Sequence, residues 1–210
     1  MIPEMNMLAL FIPASIALLL VPGPVVLYIV ARSLHQGRPA GLVSAAAGAT
    51  GNMVHALAAA LGLSALLASS ALAFLAVKYL GAAYLIYLGI RTLLSKNEIR
   101  MERPRVIKLS RIFSQGVAIS ILNPKTALFF LAFLPQFVNP SHGSASLQLL
   151  FLGLLFVVMG LFTDSSYALL AGGLGQRLAR NTSFLRSKRY FSGGVYIALG
   201  VTAAITGERK

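Results

Sequence analysis

The sequence predicts an all-α integral membrane protein of six transmembrane helices, an inverted 3+3 repeat in which helices one and four are broken. Three observations predict it. Of 210 residues, 57% are hydrophobic and 11% are charged, against about 25% charged in an average soluble domain. Six apolar runs approach or exceed the roughly 20 residues that a spanning helix needs. Prolines stand at the middle of the first and fourth runs, at Pro22 and Pro124, where a continuous helix would lose a backbone bond and meet a steric clash. The chain has no cysteine, which excludes disulfides and thiolate metal sites.

The runs are Met7 to Ala31, Gly41 to Ser69, Ala71 to Leu94, Ile112 to Val138, Leu147 to Gly175 and Tyr190 to Thr206. The first is read as a retained span and not as a secretory signal, because its flank carries Glu4 in place of Lys or Arg. Between the second and third only Ser69 and Ser70 intervene, so a hairpin there follows from length. Fourteen of the 18 Lys and Arg residues fall in the connections after runs one, three and five or, for Arg91, in the last turn of run three. By the positive-inside rule those connections are cytoplasmic and both termini lie outside. The net charge of +13 is thereby explained by topology and by attraction to anionic lipid headgroups; no nucleic acid is called for.

The halves resemble each other. Tyr79, Ile86, Leu88 and Gly89 lie over Tyr190, Ile197, Leu199 and Gly200 without a gap, and the stretch around Pro22 lies over that around Pro124. Repeats of three spans must sit in the membrane with opposite orientations. The chain is therefore read as one transmembrane domain over residues 1–210. Repeat one covers about 7–94, a cytoplasmic connection 95–111, and repeat two about 112–206.

Proline inside a lipid-embedded helix is tolerated where the freed carbonyls find other partners or a wet cavity. Asn123-Pro124 reads as an N-cap followed by Pro at the first helical position, so that a new helix begins there. Pro22-Gly23-Pro24 holds two fixed backbone angles around one free hinge, so the inner half of span one restarts near Gly23 or Pro24. Both restarted halves point their N-termini at a common region of the midplane, and such a place suits a carboxylate. Lys125 lies too deep for easy snorkelling, and two readings stand: it adds charge for an anion, or it plugs the freed carbonyls of the broken helix. Asp164 is the one acid well inside a run, a functional hypothesis by default. It could pair with Lys125, hold a substrate ammonium, or exchange a proton. Asn52 and His55, one turn apart on one helix face, lie at similar depth. His55 is a second candidate for proton coupling or an ordinary hydrogen-bonded histidine. Gly41, Ala45, Gly48 and Gly172 would permit close helix contact, within or between chains.

Pro22-Gly23-Pro24, Gly51 to His55, Lys78 to Leu85, Asn123-Pro124-Lys125 and Phe133 to Phe137 together resemble the LysE/RhtB family of amino-acid exporters, over nearly the whole chain. The resemblance implies a multi-pass protein of the bacterial inner membrane. It implies export of amino acids or their derivatives, in exchange with protons. Many members carry Asp where this chain has Asn52, which moves the expected coupling to Asp164 or His55.

The expected function is thus secondary export of a small amino acid or derivative by proton antiport, without catalytic residues, cofactor or metal. The substrate-binding residues expected are Pro22, Gly23, Pro24, Asn52, Asn123, Pro124, Lys125 and Asp164. Expected partners are the amino acid, protons and membrane lipids, with a homodimer left open. Two other classes fit the residues less well. A cation or metal permease of related architecture is disfavoured by the mid-span lysine and single carboxylate, because hard cations want several oxygen ligands. A membrane-embedded enzyme would need a nucleophile beside a base, and the sequence offers no motif for one.

Overall fold

The computed structural model describes residues 4–63, 71–94 and 106–178, with 194, 197, 198 and 201. The sixth run apart from residues 197, 198 and 201, the hairpin at Ser69 and Ser70, and the basic residues between 96 and 105 and between 180 and 189 lie outside the described residues. Those described form an all-α structure of α1 (Met5–Leu20), α2 (Pro24–Ala58), α3 (Ala71–Leu94), α4 (Leu109–Ile121), α5 (Pro124–Leu128) and α6 (Ala145–Leu178). A π turn over Ala59–Leu63 extends α2, and a second over Phe129–Phe133 extends α5 into a 3-10 turn over Leu134–Phe137. Among the described residues one unbroken helix, Ala145–Gly173, is long and apolar enough to cross a membrane. Two bent pairs also pass: Met5–Leu20 with Pro24–Gly62, bent by 52°, and Leu109–Ile121 with Pro124–Phe137, bent by 44°. The bends fall at the prolines of spans one and four.

Helix α2 is two antiparallel limbs. At Gly37 the backbone has φ +81°, a left-handed conformation that glycine adopts without steric cost. Past it the chain folds back on itself. A Cβ on Gly41 would lie 2.7 Å from Cβ of Ser33, and one on Gly48 would lie 3.1 Å from Cγ1 of Val25. The two pairs lie on either side of residue 37, which places the reversal there. The polar stretch from 32 to 40, expected as a connection outside the spans, is instead helical on both sides of a one-residue bend, with Pro39 in the first turn of the second limb, where its missing N–H costs nothing. Arg32 stays in the helix because its guanidinium finds acceptors there, 3.1 Å from Oε1 of Gln36 and 3.2 Å from Oε1 of Gln115.

Helix α6 is apolar outward and mixed inward. Leu149, Leu152, Phe156, Asp164 and Ala168 are buried, whereas Leu154, Val158, Phe162 and Leu170 are exposed. With Leu122 and Leu61 more than three-quarters exposed, the outer surface is a hydrocarbon-facing one, since a soluble monomer rarely displays such a contiguous apolar patch. The main core joins Phe11, Leu18, Phe129, Phe133 and Phe156 on one side of the breaks, and a smaller cluster of Ile29, Ala45 and Ala168 lies on the other. Helix α2 packs chiefly on α6 and α4. Small residues make those contacts, and they do so within the chain: Gly41 faces Ala168, and Gly172 faces Arg38.

The closest approach is at Gly51, where a Cβ would overlap the Ser120 side chain and stand 3.2 Å from the Ile121 amide nitrogen. Gly51→Ala is expected to cost about 1–3 kcal/mol through overpacking, read as a lowered thermal midpoint of the purified protein in detergent. An unchanged midpoint would contradict this spacing of α2 and α4.

Candidate functional site

Helical bonds run from each N–H to the carbonyl four residues back, so the missing N–H of Pro24 orphans the carbonyl of Leu20, while that of Pro22 takes the regular donor from Leu18, whose oxygen accepts instead from the Val21 N–H at 3.1 Å. An unfilled carbonyl in hydrocarbon costs several kcal/mol. Both oxygens take a side-chain donor from the second half of the chain. Nζ of Lys125 donates to the oxygens of Leu18 and Val21, at 2.7 and 2.5 Å, and Oη of Tyr167 donates to the oxygen of Leu20 at 2.9 Å.

The second break is treated the same way from the first half. Pro124 takes the regular helical donor from the carbonyl of Ser120, which accepts instead from the Asn123 N–H at 3.2 Å, and Nε2 of His55 stands 3.3 Å from it. The bond requires the proton on Nε2, which the neutral tautomer with that proton and the imidazolium both carry. The ring stacks on Phe130, with centroids 5.9 Å apart. Asn123 caps the restarted helix: its Oδ1 accepts from the Lys125 N–H at 3.2 Å, and its Nδ2 donates to Oγ1 of Thr126 at 2.9 Å.

Between the breaks lies a cavity of about 30 Å³, room for about two waters by the space a buried water needs. Its polar lining is Gly23, Asn52, Asn123, Lys125, Thr126 and Asp164, closed by an apolar wall that includes Leu19 and Phe156. Asp164 and Lys125 are buried, at 4% and 8% exposure, and both line this space. Asp164 can approach the backbone of α2 because Gly48 has no side chain: a Cβ there would be 3.1 Å from Oδ2. Asn52 is held by Ser120, whose Oγ lies 3.3 Å from Oδ1 of Asn52 and 2.9 Å from the Gly48 oxygen.

Five of the eight residues expected to bind substrate therefore share one cavity: Gly23, Asn52, Asn123, Lys125 and Asp164. Pro22, Pro24 and Pro124 create the breaks around it. His55 lies outside the lining and serves the backbone of α4. Sequence reasoning passed over Thr126, whose place one residue beyond Lys125 in the capped turn was the available signal. It also left Tyr167 unassigned, although Tyr167 follows Asp164 by three residues and so shares its face.

Amide side chains tie the chain at two further points. Gln36 exchanges two bonds with the backbone of Ile107, at 2.8 and 3.2 Å. Gln148 does the same with Asn139, at 2.9 and 3.1 Å. Nothing in the local sequence marks either glutamine, because its partner is remote backbone.

A helical membrane protein whose two broken spans converge on a buried polar cavity has the build of a transporter, in which irregular backbone is kept where it lines a site. The comparison with known families agrees: the model of the LysE type translocators matches residues 16–207, and the chain belongs to that family. It is 31% identical over 170 residues to a homoserine/homoserine lactone efflux protein of Salmonella typhimurium, covering 80% of each chain. It is 32% identical over 133 residues to a leucine efflux protein of Salmonella choleraesuis, covering 61% of this chain and 62% of that one. An uncharacterised membrane protein of Bacillus subtilis is 28% identical over 216 residues, covering 96% of this chain and all of the relative. No solved structure matches the chain.

Proposed function

We propose that the protein exports a small amino acid or amino-acid derivative across the bacterial inner membrane by antiport with protons. The observation that carries this reading is the pair of opposite charges, Lys125 and Asp164, in one buried cavity between two helix breaks. A zwitterion presents the complementary pair, and a lone charge of either sign would leave one wall unmatched. The relatives named for efflux of homoserine and of leucine support the class of substrate. Asp164 is the group proposed to load and release the coupled proton. His55 is a weaker candidate for that task, since its Nε2 proton is committed to the Ser120 carbonyl.

The two halves are proposed to be inverted repeats with both termini outside. Support comes from the exchange at the breaks: span five, with Tyr167, fills span one, and span two, with His55, fills span four. The cavity as described is smaller than any amino acid, so loading requires the halves to move apart around it. Release of the Gln36 or the Gln148 tie would free one side or the other.

The test is an accumulation assay in intact cells fed a panel of dipeptides. Cells with the protein are expected to drive out one or a few free amino acids, with proton movement in vesicles when those substrates are added. No difference from cells without it across the panel would refute the export reading. Reporter fusions behind Lys210 and within 139–146 are expected to report the outside, and a cytoplasmic signal from either would reject the orientation.

A further inference from the structure

We infer that the carbonyls of Leu18 and Val21 form the subsite for the substrate's primary ammonium group, and that Lys125 occupies this subsite as a tethered stand-in when substrate is absent. The inference rests on the reading of the protein as an amino-acid exporter and names one half of its site. An ammonium nitrogen already sits there, 2.7 Å from one oxygen and 2.5 Å from the other. That geometry is what a charge-assisted N–H···O bond requires. The two oxygens are available because of the sequence. The Leu18 carbonyl has lost its regular helical donor to Pro22 and keeps one main-chain bond, from the Val21 N–H at 3.1 Å, which leaves its second lone pair for an ammonium. The Val21 carbonyl belongs to the bend at Val21 to Gly23.

The Lys125 stem reaches them by crossing Gly23, where a Cβ would lie 3.2 Å from Cδ and 3.8 Å from Nζ. A lysine whose role ended at plugging the break would have no need of a cavity beside it. Here the same ammonium lines one, and so does Asp164. A substrate entering that cavity brings a second ammonium to the same carbonyls. It also brings a carboxylate, for which the displaced Nζ is the nearest described cationic group. Exchange of one primary ammonium for another leaves the carbonyls filled throughout, so the break never stands open in the membrane. Primary ammonium is selected by its size and its three donors; a quaternary one has neither.

The test uses the purified full-length protein with Lys125→Met, assayed by thermal stabilisation with n-propylammonium, propionate and tetramethylammonium at matched ionic strength. The expected result is a saturable rise in the midpoint with n-propylammonium alone, absent from the wild type, whose own lysine fills the subsite. Adding Pro22→Ala to the variant gives the Leu18 carbonyl a second main-chain donor beside the Val21 N–H, which takes the lone pair the ammonium needs and should weaken that response at least tenfold. Should Lys125→Met not fold, Lys125→Gln takes the same panel, its amide holding one carbonyl and leaving the other. No response to n-propylammonium, or an equal response to tetramethylammonium, overturns the subsite. Wild-type efflux is measured alongside. Normal amino-acid export with an unresponsive variant refutes the ammonium subsite alone, whereas absent export from wild-type cells refutes the exporter reading beneath it.

Discussion

Asp164→Asn combined with Lys125→Met is expected to abolish efflux while restoring part of the abundance that either change alone removes. Each single neutralisation strands a buried charge and leaves the partner uncompensated, a cost of about 3–5 kcal/mol where such pairs have been broken. The double variant lifts that burden. It does not lift all of it, because without Nζ the Val21 carbonyl loses that donor and the Leu18 carbonyl keeps only the Val21 N–H, and a deficit of about 1–3 kcal/mol should persist for an unfilled group. Efflux should fall by about a hundredfold or more, since each charged hydrogen bond to substrate is worth about 1.5–3 kcal/mol. The measurement is initial efflux rate normalised to protein in the membrane. An active double variant at wild-type rate would remove both residues from the binding site and leave them a structural couple.

Pro22→Ala is the second change with a large expected effect. It returns an N–H at position 22 and with it a helical bond to the Leu18 carbonyl, which then competes with Lys125 for that acceptor. Insertion and abundance should hold, because alanine favours the helix. The break between α1 and α2 should relax, and Lys125, pushed from one of its two carbonyls, should lose its place beside the cavity. Efflux is expected to drop at least tenfold, about 1.4 kcal/mol in transport barrier. Tyr167→Phe provides the contrast, leaving the bend but unfilling the Leu20 carbonyl, with a loss of about 1–3 kcal/mol in stability. Wild-type export from Pro22→Ala at normal abundance would show that the break is incidental to transport.

Much of this was legible in the residues. Prolines at mid-span announce a break because their chemistry does so in any sequence, and Asn123-Pro124 states where the next helix begins. The burial of Lys125 and Asp164 followed from their distance to the ends of apolar runs. What Lys125 touches did not follow. Its partners are backbone oxygens 107 and 104 residues away, and a carbonyl has no letter of its own in a sequence. The same reason hid the partners of Tyr167, His55, Gln36 and Gln148. The polar stretch around Gly37 misled in another way: charge and proline suggested an open connection, but Arg32 carries its own acceptors within one turn and across to Gln115, so helix persists to the bend.

The crossed filling of the two breaks also bears on how the molecule comes into being. Tyr167 and Lys125, emerging late in synthesis, complete span one, which has waited in the bilayer since the start, and His55, already inserted, receives span four on arrival. The nascent first half is therefore unfinished in its own backbone until the second is laid beside it. The two halves are interlocked by the defects they carry.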